Sequence, residues 1–199
     1  LPMVNACEVI DCGKYPVVTL DNRAAAKAMT RHLIEFGHTR IAMIKGPDSS
    51  PLTQDRLLGY KDALREANLP FNENLLFPGD FTLQAGYKAG ADIAKIDEKL
   101  RPTAVFCEND ETAIGTIQAF KQVGMRVPDD ISVAGFDDIA FSAFCDPPLT
   151  TIAQPAEEFG RTAVTLLVDV LNGKTRKAPK VIMPFELITR QSTGPVKTM

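Results

Sequence analysis

Residues 103–138 read TAVFCENDETAIGTIQAFKQVGMRVPDDISVAGFDD, and this stretch decides the fold class. It holds two short apolar runs, at 103–107 and 131–136, which are typical of buried strands. Between them Ala113, Ile117 and Phe120 recur at helical spacing. A strand, a helix and a second strand in this order form a unit with two parallel strands. The stretch therefore predicts an α/β protein.

The same alternation continues on both sides of this stretch. Further strands are predicted at 17–20, 41–44 and 150–153, where the runs are again short and apolar. Apolar side chains at helical spacing predict helices between the strands and after the last of them. Thr82 is expected to cap one helix, and Asn172-Gly173 to end another. We therefore predict a doubly wound parallel sheet with helices on both faces.

The charge balance and the apolar pattern restrict the class of protein. The 199 residues carry 22 Lys and Arg against 25 Asp and Glu, a net charge of -3, which shows no basic surface for nucleic acid. No apolar run approaches the roughly 20 residues of a membrane helix, and the first residues lack a secretory signal pattern. We expect a cytoplasmic protein without membrane contact. The opening residues 1–4, LPMV, resemble the middle of a strand and indicate a fragment.

The sequence lacks the common catalytic and cofactor motifs. P-loop, GxGxxG, GxSxG and HExxH patterns are missing, and the four cysteines show no metal-ligand spacing. His32 and His38 flank the end of one predicted helix, far from the strand ends, and His38 is expected to place partial positive charge at that helix C-terminus. We predict no catalytic residue, no metal, no cofactor and no enzyme. An enzyme acting on nucleosides or sugars is the weakest alternative.

Polar side chains follow the carboxyl end of each predicted strand, which is where open α/β sheets bind ligands. Helix caps favour the same residue types, so capping and ligand contact are both open for the Asn and Asp residues among them. Arg56 and Asp137 are harder to explain as caps, because a guanidinium and a carboxylate can hold adjacent sugar hydroxyls. A surface ion pair is the competing interpretation. Phe81 follows a turn, where its ring can face a ligand or pack in the core.

Many short motifs, in order along the chain, resemble those of the lactose/galactose-repressor (LacI/GalR) family. They include GHTRI at 37–41, RLLGY at 56–60, PGDF at 78–81, VPDDISV at 127–133, GFDDI at 135–139 and PPLTTI at 147–152. The resemblance runs through nearly the whole chain. It implies the periplasmic-binding-protein-like type I fold, with a flavodoxin-like C-terminal lobe and an incomplete N-terminal lobe.

The resemblance also implies where the lobes divide. Residues 1–20 would end an N-terminal lobe that is mostly missing, and 21–155 would form the C-terminal effector-binding lobe. Residues 156–182 would return to the N-terminal lobe, and 183–199 would supply the final strand and tail of the C-terminal lobe. The DNA-binding helix-turn-helix of the family would be absent from this chain.

By the same resemblance, the chain is the effector-binding and dimerisation domain of a repressor whose effector controls operator binding. The motifs are most similar to members that respond to a nucleoside, cytidine; alternatives are a purine- or sugar-responsive repressor and a periplasmic sugar-binding protein. Operator DNA, bound through the absent domain, and the cyclic-AMP receptor protein are further implied partners. The implied ligand-binding residues are Asp21, Ser50, Arg56, Phe81, Asn109, Asp137 and Gln154.

A homodimer is predicted from one apolar loop. Ile139, Phe141 and Phe144 lie in the loop after a predicted strand, where large apolar side chains are unexpected unless they are covered. We expect them to line a two-fold interface, as the equivalent region does in the family. Packing of these side chains against the core is the competing interpretation.

Overall fold

A computed structural model describes residues 2–8, 14–174 and 178–197 of the chain. Within these residues the chain forms nine strands and five α-helices. The strands are β1 (Asn5–Ala6), β2 (Val17–Leu20), β3 (Ile41–Ile44), β4 (Leu76–Phe77), β5 (Ala104–Cys107), β6 (Ser132–Ala134), β7 (Thr151–Ala153), β8 (Lys180–Met183) and β9 (Glu186–Ile188). The helices are α1 (Asn22–Glu35), α2 (Pro51–Glu66), α3 (Leu83–Ala94), α4 (Asp110–Gln122) and α5 (Ala156–Leu171).

The larger sheet is parallel and has the order β4-β3-β5-β6. Two isolated parallel bridges, Ala134 with Thr150 and Asp137 with Ala153, continue it from the β6 side toward β7. In the resulting order β4 lies on one side of β3 and the later strands lie on its other side, as in flavodoxin-like folds. The predicted α/β class with a parallel sheet is confirmed. β9 then pairs with β7 in the antiparallel direction.

Helices cover both faces of this sheet because strand residues alternate between two cores. Met43 and Phe106 face a core shared with α1 and α2, whereas Ile44 and Val105 face a core shared with α3 and α4. The helix side chains that fill these two cores are Met29, Leu33, Tyr60 and Leu64 on one face, and Ile93, Ile117 and Phe120 on the other. All of them are buried, as expected for the predicted doubly wound sheet.

A smaller parallel sheet, β1-β2-β8, lies beside α5. Phe159 is the buried residue of α5, and the helix ends at Leu171, with Asn172 as its C-cap and Gly173 after it at φ +66°. That end agrees with the prediction from the Asn-Gly pair, because glycine tolerates the left-handed conformation. Thr82 caps α3 as predicted, accepting from Ala85 N at 3.2 Å. Among the described residues, no helix is long and apolar enough to cross a membrane.

The C-terminal segment closes the gap between β6 and β7. Val133 N donates to Ser192 O at 2.8 Å, and Ser192 Oγ donates to Val133 O at 2.6 Å. Ser192 Oγ also accepts from Thr150 N at 2.8 Å. Thr193 Oγ1 lies 2.9 Å from Thr150 Oγ1 and 3.0 Å from the Nε2 atom of the buried His32. The tail therefore satisfies backbone and side-chain polar groups that would otherwise be buried without partners.

The structure corrects the expectation for His38. Its side chain is 2% exposed, with Nδ1 2.9 Å from Thr103 Oγ1 and Nε2 3.0 Å from Gly194 O. A carbonyl can only accept, so Nε2 carries the proton toward Gly194 and Nδ1 accepts from Thr103. Burial lowers the pKa of His38. The neutral ring joins three chain segments and does not supply charge to the end of α1.

We predict that His38→Gln alters the pH dependence of stability. Because the folded-state pKa of His38 lies below the ordinary value of 6.5, the unfolded chain takes up the proton first as the pH falls through 6.5. That protonation stabilises the unfolded state, so the unmodified chain loses stability relative to the variant. At about pH 7.5 the variant should be less stable by about 1–3 kcal/mol, because buried polar partners lose their hydrogen bonds.

Urea unfolding of both proteins at about pH 7.5 and about pH 5.5 measures this difference. The difference in unfolding free energy between the unmodified chain and the variant should be smaller at the lower pH. Buried carboxyl groups contribute equally to both proteins, so the comparison cancels their effect. A gap that stays constant between the two pH values would contradict a neutral His38.

Candidate ligand-binding site

A cavity of about 280 Å³ lies where the two parallel sheets meet. The smaller sheet contributes residues after β1 and at the end of β2. The larger sheet contributes residues that follow β5, β6 and β7, and helix α2 contributes side chains from its first two turns. The lining residues are Cys7, Glu8, Thr19, Leu20, Asn22, Leu52, Arg56, Phe81, Asn109, Asp137 and Gln154.

Five predicted ligand-binding residues come together in this cavity: Arg56, Phe81, Asn109, Asp137 and Gln154. They come from α2, from the loop before α3 and from the loops after three strands of the larger sheet. These segments are distant in sequence, but parallel strands bring their carboxyl ends to one edge of the sheet.

Asp21 and Ser50, the other two predicted residues, do not line the cavity. Asp21 is exposed and caps α1, where it accepts from Ala24 N at 2.9 Å. Ser50 caps α2, where its Oγ accepts from Leu52 N at 3.3 Å and donates to Glu8 Oε1 at 2.9 Å. Each residue directly precedes a helix whose first N–H groups need an acceptor. Capping therefore explains both positions.

Arg56 is the most buried charged side chain in the cavity wall, with 5% of its side chain exposed. Its Nε donates to Asn22 Oδ1 at 3.0 Å, and its Nη1 donates to the carbonyl oxygen of Glu108. The guanidinium also stacks 3.7 Å from the centre of the Phe136 ring. The surface ion pair considered from the sequence is therefore wrong for this residue.

Asp137 faces Arg56, with 4.0 Å between Oδ1 and Nη2. Gln154 Nε2 donates to the same carboxylate oxygen at 2.5 Å. Burial raises the pKa of Asp137 to about 6, although the Arg56 charge acts in the opposite direction. The carboxylate and the guanidinium together offer acceptors and donors at one wall, which suits adjacent hydroxyl groups.

Phe81 forms an aromatic wall of the cavity in a backbone conformation that is unfavourable for its residue type. Its φ is +68°, and Asp137 has φ +114°. Asn109 Nδ2 donates to Phe81 O at 2.8 Å, while Asn109 Oδ1 accepts from Thr112 N at 3.1 Å. Asn109 therefore caps α4 and also holds the loop that contains Phe81. Such local strain is concentrated at functional sites.

Glu108 was missed by the sequence analysis, although it adjoins Asn109. Its Oε2 accepts from Gly46 N at 2.9 Å, and burial raises its pKa to about 7. It is 1% exposed, and its other carboxyl oxygen has no hydrogen-bond partner within the described residues. The position of this charged residue directly after a buried strand is the feature of the sequence that could have identified it. The cavity residues after β1 and at the end of β2 were not predicted. They belong to the smaller sheet, and the residues of the larger sheet that they meet are distant in sequence.

The comparisons with known proteins agree with the fold described above. Residues 30–193 match the model of the periplasmic binding protein-like domain. A LacI family transcriptional regulator from Enterococcus faecium, solved with bound ribose, has a TM-score of 0.85 at 31% sequence identity, covering 92% of this chain and 67% of that one. This chain belongs to the LacI family. The resemblance drawn from its motifs is confirmed.

Two curated proteins extend the comparison. The HTH-type transcriptional repressor CytR of Escherichia coli (strain K12) is 43% identical over 192 residues, which cover 96% of this chain and 56% of that protein. The HTH-type transcriptional repressor PurR of Aliivibrio fischeri (strain MJ11) is 44% identical over 163 residues, covering 82% and 48%. The chain thus spans about half the length of these LacI-family relatives. Both are named as repressors, in line with the predicted class.

The apolar loop predicted to form the LacI-family dimer contact is fixed to the start of α4 by Asp110. This buried carboxylate accepts from Ser142 Oγ at 2.6 Å and from Ile139 N at 2.9 Å. Phe141 is 57% exposed and Phe144 is 81% exposed. Ile139 is half-buried and packs against the core of α3 and α4, as the competing interpretation expected for this loop. The two phenylalanines alone present a large apolar surface.

We predict that Gly46→Ala displaces the aromatic wall of the cavity. A Cβ at Gly46 would lie 2.1 Å from the Phe81 ring and 2.6 Å from Thr53 Oγ1, so the ring must move. Overpacking of this kind should destabilise the fold by about 1–3 kcal/mol. Urea unfolding measures that loss, and a crystal structure of the variant locates the ring.

Gly160→Ala is the matched control, since a Cβ at Gly160 in α5 meets no atom within 4 Å. That change should leave stability equal or slightly higher, because alanine favours helix. Equal stabilities for Gly46→Ala and the unmodified chain, with an unmoved Phe81 ring, would contradict the close contact.

Proposed function

We propose that the chain is the effector-binding and dimerisation part of a LacI-family repressor, and that its effector is a nucleoside such as cytidine. The observation that carries the proposal is the pair of the buried Arg56 and the partly buried Asp137 beside the Phe81 ring in one cavity. The pair suits the hydroxyls of ribose, and the ring suits the face of a base. Gln154 and Asn109 add amide groups that can orient a polar ligand.

The relatives support a ligand that contains a sugar ring and a base. The Enterococcus faecium regulator was solved with ribose, and the Escherichia coli relative bears the name CytR. The similarity to PurR supports a purine as the first alternative effector, and the bound ribose supports a free sugar as the second. A periplasmic sugar-binding protein would share the fold, but the CytR and PurR relatives are named as repressors, and we place this protein in the cytoplasm.

We further propose a division into two lobes around the cavity. Residues 1–20 and 156–182 form one lobe, which contains β1, β2, α5 and most of β8; residues 21–155 and 183–199 form the other. Effector in the cavity contacts both lobes and favours one arrangement of them. In a dimer this would change the spacing of two helix-turn-helix domains that bind operator DNA from outside this chain. The cyclic-AMP receptor protein is proposed as a partner at promoters.

We predict that Asp137→Asn weakens cytidine binding by the full-length protein about tenfold to a hundredfold. The change keeps the side-chain shape but removes an acceptor and the negative charge opposite Arg56, and a charge-assisted hydrogen bond contributes about 1.5–3 kcal/mol. Calorimetric titration with cytidine, adenosine, hypoxanthine and ribose measures the effect and ranks the alternative effectors.

Asp146→Asn is the control, because the Asp146 side chain is 89% exposed and pairs with Lys121 outside the cavity. Cytidine should bind the control as it binds the unmodified protein. Tighter binding of hypoxanthine or ribose than of cytidine would replace the proposed effector. Unchanged cytidine affinity in Asp137→Asn would overturn the proposed site.

The dimer is tested at the exposed phenylalanines. Phe141→Glu places a charge on the apolar surface that would be buried between two subunits, so the full-length protein should dissociate to monomers at micromolar concentration. Sedimentation velocity reports the change in mass. Val123→Glu, which alters another exposed apolar side chain, should leave the dimer intact. A dimeric Phe141→Glu protein would refute this interface.

A further inference from the structure

The cavity contains more negative than positive groups. Glu8 and Asp137 are its acidic lining residues, and Arg56 is the one cationic side chain among the described residues that line it. Glu108 lies directly behind the wall, where its charge acts on Arg56. With these carboxyl groups ionised, the lining carries two negative charges and one positive charge, and Glu108 adds a third negative charge behind the wall, where Lys45 also acts on it.

The hydrogen-bond donors and the positive charge of Arg56 already have partners within the protein. The guanidinium donates to Asn22 Oδ1 and to the Glu108 carbonyl oxygen, and it faces Asp137 at 4.0 Å. A phosphate that sought Arg56 would compete with Asp137 for the same donors. It would also approach the Asp137 carboxylate closely, within a cavity of about 280 Å³.

A second place where an anion could bind is also occupied by a carboxylate. The N-terminus of α2 carries partial positive charge, which usually attracts phosphate or carboxylate groups. Here Glu8 takes that place, because its Oε1 accepts from the α2 cap residue Ser50 at 2.9 Å. Glu8 comes from the segment after β1, so this contact spans the two sheets at the edge of the cavity.

We propose that Glu8 and Glu108 make the cavity selective for uncharged ligands and exclude their phosphorylated forms. The proposal rests on the proposed function, since it concerns the same effector cavity. Hydroxyl groups can share Arg56 and Asp137 without adding charge, whereas a phosphate adds up to two negative charges near carboxylates. A nucleoside therefore binds, and the corresponding nucleotide does not bind at comparable concentrations.

Burial makes this selection stronger than it would be if the same charges lay on a surface. Arg56 and Glu108 are 4% and 1% exposed, so water screens them weakly. Burial raises the pKa of Glu108 to about 7, so its negative charge is complete only above neutral pH, and the selection should be strongest there. Glu8 is exposed at the edge, and its contribution decreases as salt is added.

The test compares cytidine with cytidine 5′-monophosphate by calorimetric titration of the full-length protein. The nucleotide should bind at least about tenfold more weakly, as expected for like charges at close range in a partly buried site. The double variant Glu8→Gln/Glu108→Gln keeps the acceptors of Ser50 Oγ and Gly46 N but removes both charges. It should tighten nucleotide binding and reduce the ratio of the nucleotide dissociation constant to the nucleoside dissociation constant to about threefold or less.

Glu73→Gln, an exposed carboxylate in a short 3-10 turn, is the matched control and should leave the ratio unchanged. Exclusion by charge also predicts that the ratio narrows as ionic strength rises, whereas exclusion by size predicts no such change. Equal binding of nucleoside and nucleotide, or a ratio that the double variant does not alter, would overturn the proposal.

Failure of the proposed function gives a different result. If cytidine does not bind at all, the nucleoside assignment is wrong, and ribose with ribose 5-phosphate becomes the pair that tests the exclusion. Selective binding of ribose would then support charge exclusion for a sugar effector. Equal binding of both sugars would overturn it.

Discussion

The buried guanidinium of Arg56 is the constraint on which the cavity depends. A cation with 4% exposure is costly unless its donors are satisfied and its charge is compensated. Three segments meet that need, with an amide from the start of α1, a backbone carbonyl after β5 and a carboxylate after β6. The ring of Phe136 covers the flat face. The positions of these loops are therefore set by one charge.

The loops around this charge are held in conformations that an isolated chain would avoid. Phe81 and Asp137 both have positive φ values, and neighbouring hydrogen bonds keep them there. Asp110 fixes a neighbouring loop in a similar way. It accepts from Thr151 Oγ1 at 2.6 Å and also binds the loop that presents Phe141. The raised pKa of Asp137 is a consequence of this enclosure.

Much of the fold could be predicted from local sequence, because strands and helices follow from apolar spacing. The position after a strand also located Asp137 and Asn109, since parallel strands end at one edge. Position alone could not separate residues that line the cavity from residues that only cap a helix, as Asp21 and Ser50 do outside the lining. Glu8 and Glu108 depend on contacts between segments more than forty residues apart, as in the bond between Ser50 and Glu8 (42 residues). No local pattern records such contacts.

The tail between β6 and β7 has a consequence for the order in which the chain folds during synthesis. The larger sheet begins at residue 41, yet the junction between β6 and β7 is completed by Ser192, Thr193 and Gly194. While the ribosome still covers that tail, the imidazole of His38 and the backbone of Val133 lack their final partners. Domains usually fold as units as they emerge. Here the interior polar network can close only after residues 192–194 have emerged.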